Sequence, residues 1–252
     1  MTRFKKLLTL LASPVFAQAL LRYRVAAAVE HMPALRQLRC KTVVDIGAHS
    51  GQFALVARAR FPDSRIIAFE PLPEPARRFR RLFAKDVRVN LYQVAIGPVV
   101  AVQKMHVSAK DDSSSLLPIG ELQVQIFRGT YESTTVEVAV GPLERYVDPR
   151  DITPPALLKV DVQGYELQAL YGCESLLSLF DVVYCECSFV ELYHTQPLAA
   201  DVLSWLNHRG FVLRGVYNVT YHPVWGCVQA DFLFIRRRTE RRLMREEGRC
   251  FS

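Results

Sequence analysis

Short, unbroken apolar runs alternate along the chain with longer segments in which apolar residues recur every three to four positions. The short runs are residues 42–46, 65–69, 87–96, 156–160 and 182–187. Helical spacing occupies residues 52–60, 75–84, 165–177 and 198–209. Strands that are buried on both faces and separated by helices are typical of a parallel sheet. The pattern therefore predicts an α/β fold.

Two regions depart from this alternation. Residues 99–107 and 134–140 alternate apolar with polar positions, which predicts an antiparallel or edge pair of strands. The polar stretch between them looks like an insertion that could cover a site. The last two apolar runs, 210–216 and 228–235, have no helix between them, so we expect them to pair antiparallel.

An apolar segment near the N-terminus, residues 7–19, follows three basic residues and ends in a motif like a cleavage site. This is the pattern of an export signal. However, Pro14 divides the segment, and the apolar pattern continues to Leu38 as a helix would. Two helices ahead of the main domain fit better. The segment is shorter than the ~18 apolar residues of a membrane span, but a helix lying on a membrane surface remains open.

The length of 252 residues, half of them hydrophobic, fits one large α/β domain. We predict a helical extension over 1–40, the main domain over 41–236 and a basic tail over 237–252. The six cysteines lack the spacing of a disulfide framework or a zinc site. A reducing compartment follows more simply, so we expect a cytoplasmic protein, with membrane association left open.

The chain carries a formal net charge of +7. Residues 236–252 contain seven arginines and three glutamates, which accounts for +4 of that charge. A solvated terminal helix is the ordinary interpretation of such a run, and a tether to a membrane surface or a polyanion is the alternative. Net charge alone does not choose between nucleic acid, anionic lipid and an anionic substrate.

The first predicted strand ends in a glycine loop, residues 45–51 (DIGAHSG). Glycines let the backbone approach a ligand at a strand-to-helix turn, where ligands of open α/β sheets lie. The spacing is not that of a nicotinamide or phosphate-binding loop. Asp45, two residues before the first glycine, suits a ligand with a cationic amino group. A tight turn alone could also require these glycines.

Glu70 ends the second predicted strand, nineteen positions past Gly51. A carboxylate at the tip of the neighbouring strand can accept hydrogen bonds from both hydroxyls of a ribose. A surface glutamate before a turn is the alternative. Loop and glutamate together predict a nucleoside site. The predicted cofactor contacts are Asp45, Gly47, Ala48, His49, Gly51, Glu70, Pro71 and Ala95.

A third group of charged residues lies in residues 157–166 (LLKVDVQGYE). Burying charges costs several kcal/mol unless they are paired. Lys159 and Glu166 could therefore form a structural network, with Glu166 capping its own helix, or act on a substrate. Asp161 lies at the carboxyl end of the fourth strand, which favours function. Glu186, at the end of the fifth strand, could be a base, bind a hydroxyl or pair with a cation.

These segments resemble, in order and spacing, the FkbM family of S-adenosylmethionine-dependent methyltransferases. The resemblance covers residues 41–236 and rests on DIGAHSGQF, AFEPLP, SSSLLP, LLKVDVQGYE, ECSFVELY and QADFLFIRR. It implies a Rossmann-like class I methyltransferase fold, with a seven-stranded, mostly parallel sheet whose last strand is antiparallel. It also implies S-adenosylmethionine as the cofactor, held by Asp45, Gly47 and Gly51, with Glu70 on the ribose.

The resemblance implies O-methylation of a hydroxyl on a sugar, glycolipid or other small metabolite. His49 stands where the family often carries Asn, and a positioning role is expected for it. Residues 113–115 could gate the site or form an ordinary polar loop. The hypothesis for catalysis is that Asp161 takes or orients the acceptor's proton, with Glu186 or Lys159 assisting. No metal ligands are assigned.

Two other functions remain open from the sequence. One is a cofactor-binding protein of the same fold that has lost catalysis, although the intact loop, Glu70 and Asp161 argue against it. The other is an RNA methyltransferase, suggested by the basic charge, although no RNA-binding module is recognisable. The expected partner is a small-molecule or glycan acceptor rather than a specific nucleic acid. Peripheral membrane contact through the N-terminal helix or the tail is left open.

Overall fold

The computed structural model describes residues 3–239. Its strands are β1 Thr42–Ile46, β2 Arg65–Phe69, β3 Val89–Tyr92, β4 Ala95–Ile96, β5 Ala101–Ser108, β6 Glu132–Gly141, β7 Ala156–Val160, β8 Val182–Ser188, β9 Phe211–His222 and β10 Gly226–Arg236. Its α-helices are α1 Arg3–Ala12, α2 Pro14–Tyr23, α3 Met32–Leu35, α4 Gln52–Arg60, α5 Pro73–Leu82, α6 Glu121–Ile126, α7 Glu166–Gly172 and α8 Ala199–His208.

Seven strands form one twisted sheet in the order β3-β2-β1-β7-β8-β10-β9. Neighbouring strands are parallel from β3 to β8, and β10 runs antiparallel to both β8 and β9. The predicted α/β fold and its antiparallel last strand are therefore confirmed. The chain has the class I methyltransferase architecture.

The central strands are buried along their whole length, which explains their unbroken apolar sequences. Every residue of β1 and β7 is buried. One face of the sheet packs against α7 and α8, and the other against α4 and the N-terminal helices. A parallel sheet covered on both faces needs such strands, because neither face meets water.

A second, three-stranded sheet follows the order β4-β6-β5. β5 and β6 pair antiparallel, as their alternating pattern predicts. The single strand region expected over residues 87–96 is divided between the two sheets: β3 is the edge of the main sheet and β4 pairs with β6. The chain leaves the main sheet at Gln93–Val94, and an apolar run does not by itself reveal such a departure.

The N-terminal extension is helical, but its second half is not one continuous helix. Arg24 adopts a left-handed conformation, with φ 57°, and ends α2. A 3-10 turn, Val29–His31, then leads into the short α3. Among the described helices, none alone is long and apolar enough to cross a membrane; α1 and α2 pass that test only together, across a bend of 106°. The predicted basic tail lies outside the described residues from 240 onward.

Candidate active site

A cavity of about 670 Å³ opens at the carboxyl ends of β1, β2, β7 and β8. Because parallel strands end at the same edge of a sheet, the loops that follow them converge there. The glycine loop, Glu70 and the loop after β7 line one side. This is the edge at which the sequence predicts ligand binding.

The glycine loop fits under the end of β7 only because of Gly47. This residue has φ 81°, and a Cβ added to it would lie 1.8 Å from the backbone oxygen of Asp161. Gly51 has φ 94° and lies against α5, where a Cβ would come within 2.9 Å of the ring of Phe83. His49 between them is also left-handed, with φ 47°. The conformation of the glycine loop is thus set by its close packing against Asp161 and α5 as well as by the turn itself.

Glu70 closes this loop from the neighbouring strand. Its Oε2 accepts a hydrogen bond of 2.9 Å from the backbone N–H of His49, and its Oε1 accepts one of 2.8 Å from Leu72. Burial raises the pKa of Glu70 to about 7, despite these two donors. Each carboxylate oxygen can accept a further bond, so Glu70 can fix the loop and still receive the hydroxyls of a ribose.

Lys159 lies between two carboxylates. Its Nζ is 3.3 Å from Oδ1 of Asp45 and 3.4 Å from Oδ2 of Asp161, and it donates a hydrogen bond to the oxygen of Gly47 at 3.2 Å. Burial alone would lower the pKa of Lys159, but the two carboxylates hold it above its ordinary value. The ammonium therefore stays charged and cannot act as a proton acceptor.

The two carboxylates differ in their surroundings. Asp45 is fully buried behind the loop, does not line the cavity, and makes no hydrogen bond of good geometry to the described residues. Burial raises its pKa, and Lys159 opposes that shift. Asp161 lines the cavity. Burial would raise the pKa of Asp161 too, but Lys159 and a hydrogen bond from Gln163 hold it below its ordinary value. Asp161 is therefore the carboxylate presented to a ligand.

Gln163 joins two of the predicted residues and was not itself predicted. Its Nε2 donates hydrogen bonds of 2.9 Å both to Asp161 and to Glu186. Its Oε1 accepts one of 3.0 Å from the hydroxyl of Tyr193. Glu186 also accepts a bond of 2.8 Å from Gln229. Burial, together with nearby negative charge, raises the pKa of Glu186 well above its ordinary value.

Glu166 holds the loop that carries Gln163. Its Oε1 accepts hydrogen bonds from the backbone N–H groups of Val162, at 3.1 Å, and Gly164, at 3.0 Å. The side chain is buried and does not line the cavity. Burial raises its pKa to about 7. These contacts support the structural alternative for Glu166.

The opposite side of the cavity contains residues that were not predicted, centred on Asp231. Its Oδ2 accepts hydrogen bonds from Asn218, at 2.7 Å, and from the hydroxyl of Tyr184, at 3.0 Å. Nδ1 of His31 lies 3.2 Å from the same oxygen. Asp231 could have been noticed as an acid inside an apolar strand, whereas His31 carries no signal in the sequence.

Most of the predicted site residues line the cavity. They are Gly47, Ala48, His49, Glu70, Pro71, Ala95, Lys159, Asp161 and Glu186. Asp45 and Gly51 instead support the loop from behind. Ser114 lines the cavity together with Met105 and Leu116, so the inserted sheet and loop do cover it. Direct contact of these residues with cofactor or acceptor stays a prediction.

The family model described as the Methyltransferase FkbM domain matches residues 45–213. The chain belongs to the FkbM methyltransferase family. The match includes the glycine loop, Glu70, Asp161 and Glu186. This FkbM protein is accordingly an S-adenosylmethionine-dependent methyltransferase.

Three known proteins that are similar to this FkbM methyltransferase are named as methyltransferases or methylases. The 2-O-methyltransferase NoeI of Sinorhizobium fredii is 26% identical over 165 residues, which cover 63% of this chain and 68% of NoeI. A putative rRNA-methylase from Clostridium thermocellum has a TM-score of 0.46 at 10% identity, covering 81% of this chain and 92% of that one. The magnesium protoporphyrin IX methyltransferase of Synechocystis, solved with its cofactor, has a TM-score of 0.44 at 12% identity, covering 94% and 85%.

The residues of the FkbM site fit the cofactor. Gly47 lets the loop pack directly against the backbone of Asp161, so both segments line the cavity side by side. Glu70 retains acceptor capacity toward the cavity, and Asp161 is kept ionised where a cationic ligand can face it. The cavity of about 670 Å³ lies in the range of small-molecule sites.

Proposed function

We propose that this enzyme methylates a hydroxyl of a sugar, glycolipid or other small metabolite rich in hydroxyl groups. The observation that carries the proposal is the polar side of the cavity opposite the glycine loop. Its side chains are His31, Glu186, Asn218, Thr220, Gln229 and Asp231. Groups of this kind donate to and accept from several hydroxyls at once. The relative NoeI is named a 2-O-methyltransferase, which agrees with the proposal.

Three groups of this chain would hold the cofactor. Glu70 would accept the ribose hydroxyls, the backbone of 47–49 would carry the methionine portion, and Asp161 would face positive charge. When bound, the cofactor supplies a methyl group already activated on a sulfonium. The protein must then hold the acceptor oxygen in line and exclude water, which is chiefly a matter of proximity and orientation.

A hydroxyl is a weak nucleophile until its proton is removed. Of the two carboxylates bridged by Gln163, Glu186 has the raised pKa and Asp161 the lowered one. The carboxylate with the higher pKa is the stronger base, and opposed shifts of this kind separate a base from an electrostatic partner. We assign proton removal to the ionised form of Glu186, whose two oxygens accept hydrogen bonds from Gln163 and Gln229, and orientation to Asp161, which Lys159 keeps ionised.

The charge of the cavity does not single out an RNA acceptor. Asp161, Glu186 and Asp231 line it together with the cations Lys6, Arg24, Arg78 and Lys159, so a phosphate backbone would meet both signs of charge. The net charge of +7 belongs to the chain as a whole. It does not describe the cavity.

The test is methyl transfer from labelled cofactor to a panel of oligosaccharides, glycolipid extracts, small alcohols and RNA. We expect the label on an oxygen of a hydroxyl-rich product, located by mass spectrometry. Label recovered in RNA, or on nitrogen or carbon, would overturn the proposal.

Variants at the two carboxylates test the mechanism. Glu186→Gln should lower kcat by about 10²–10⁴-fold, the usual contribution of a general base. Cofactor Kd should change by less than about two-fold, since the base contributes through proton transfer. Asp161→Asn should weaken cofactor binding as well. Glu144→Gln, an exposed carboxylate outside the cavity, is the matched control. Wild-type kcat in Glu186→Gln would contradict the assignment.

A further inference from the structure

Helix α1 turns its apolar face toward solvent. Phe4, Leu7, Leu8 and Leu11 follow the spacing i, i+3, i+4, i+7, so they share one side of the helix. Their exposed fractions are 69%, 46%, 52% and 51%. A helix of a globular protein normally places such a stripe against the core. We call these four residues the α1 stripe.

The stripe is exposed on an element that is itself held to the domain. Leu10 of α1, together with Phe16 and Ala19 of α2, is buried in the core cluster that contains α4 and β1. Lys6 forms an ion pair of 2.8 Å with Glu30. The bend of 106° between the helices turns α2 back onto the domain. The pair therefore presents the stripe outward along the surface.

The charge around the stripe suits one kind of occupant. Residues 3–24 contain five basic residues and no acidic one. An apolar face flanked by lysine and arginine is the pattern of a helix that lies in the interface of an anionic membrane. A second copy of the chain is a poorer occupant, because a two-fold contact would bring the same cations opposite one another.

Helix α1, which carries the stripe on its outer face, borders the mouth of the cavity with its opposite face. Lys6 of α1 and Arg24 after α2 both line the cavity and are partly or fully exposed, so they mark its opening. The β9–β10 turn lies at the same edge of the sheet as the carboxyl end of β8. β10 runs antiparallel to β8, and its residue Gln229, three positions after β10 begins, pairs with Ser188 at the end of β8. Tyr221 and Trp225 beside this turn are exposed, and both residue types favour membrane interfaces.

We propose that the α1 stripe docks this enzyme on an anionic lipid bilayer, with the mouth of the active-site cavity at headgroup level. Membrane-anchored acceptors would then reach the cavity without leaving the bilayer. This last step rests on the proposed function, whereas the docking itself does not.

Vesicle flotation of the full chain tests the docking without any acceptor. We expect the protein to float with vesicles of phosphatidylcholine mixed with phosphatidylglycerol, and much less with phosphatidylcholine alone. The double variant Leu7→Glu/Leu11→Glu should lower the partition coefficient by at least about ten-fold, because it removes two apolar contacts and adds negative charge. The basic tail is the same in both proteins, so the difference reports on α1.

The matched control is Val87→Glu/Val99→Glu, which makes the same charge change at two exposed apolar positions outside the N-terminal helices. Because this control adds the same negative charge, it measures the effect of net charge alone. We expect its flotation to stay within about two-fold of wild type. Calorimetric titration with cofactor checks that each variant is folded. Equal flotation of wild type and Leu7→Glu/Leu11→Glu overturns the proposal. So does a solution dimer that this variant dissociates, since the stripe would then be a contact between copies.

Discussion

The two sides of the active-site cavity are built in different ways. The cofactor side consists of strand-end segments at 46–49, 70 and 161, where backbone groups and one close approach decide the shape. The acceptor side depends on side chains that meet from distant parts of the chain, His31, Asn218 and Asp231. The family match over 45–213 contains the first set and none of these three residues. The family match therefore accounts for the cofactor side, whereas the acceptor side that we propose also includes residues outside the match.

The largest effect is expected from a substitution on the cofactor side, which should abolish cofactor binding. Gly47→Ala would place a methyl group 1.8 Å from the oxygen of Asp161 at φ 81°. Overpacking and left-handed strain each cost about 1–3 kcal/mol, so we expect a lower Tm and no measurable cofactor binding by calorimetry. Gly210→Ala is the matched control, because Gly210 has φ 82° but no atom near its Cβ position. Cofactor binding by Gly47→Ala at wild-type affinity would contradict this prediction.

A smaller effect is expected from a substitution on the acceptor side, which should change the KM for the acceptor and leave cofactor binding intact. Asp231→Asn disturbs the carboxylate that Asn218 and Tyr184 both contact. Loss of such bonds costs about 1–3 kcal/mol, or roughly 5–150-fold. We expect the KM for the acceptor to rise by that factor while the cofactor Kd stays within about two-fold of wild type. Asp63→Asn, on the exposed surface, is the control. If cofactor and acceptor affinity fall together, the two sides are not independent.

Glu166 lies between the two sides of the cavity, because it binds the loop that carries Gln163. Burial raises its pKa from 4.5 to about 7, so the folded state binds a proton more tightly than the unfolded state. Stability from this group is present below about pH 4.5 and is lost as pH rises through 7. Glu166→Gln keeps the acceptor oxygen and removes the titration.

We therefore expect the wild-type Tm to fall more steeply than that of Glu166→Gln between about pH 5 and pH 8. The difference should reach about 2–3 kcal/mol, or several degrees in Tm. Thermal unfolding across this pH range measures it. Parallel curves for the two proteins would show that Glu166 does not titrate there.

The smallest expected effect is a pH dependence of cofactor affinity. Burial raises the pKa of Glu70 to about 7, and only the ionised form offers both oxygens to the ribose. Affinity should therefore be highest above pH 7 and fall by about three- to ten-fold toward pH 6. Titrations of wild type and Glu70→Gln give the measurement. A slope that persists unchanged in Glu70→Gln would assign the titration to another group.

The elements that the sequence predicts well are those whose pattern is set by burial. Residues 42–46, 52–60, 65–69 and 156–160 were predicted with the bounds of β1, α4, β2 and β7. Residues 87–96 were predicted as one strand region, because apolarity shows that a residue is buried but not against which sheet. The continuing helix expected up to Leu38 is interrupted because Arg24 turns left-handed, which side-chain periodicity does not report.

The sequence by itself determined the layered α/β fold, the glycine loop and the acids at the strand ends. These features depend on short segments in which the residue type itself reflects the local structure, such as a glycine at a position where no Cβ fits. Only the tertiary structure decided which acids meet the cavity, why Asp45 stands behind Lys159, and that Gln163 joins Asp161 to Glu186. It also brought His31 from the N-terminal extension to Asp231 on β10, two hundred positions away along the chain. Such contacts arise from the packing of whole elements, and no local pattern encodes them.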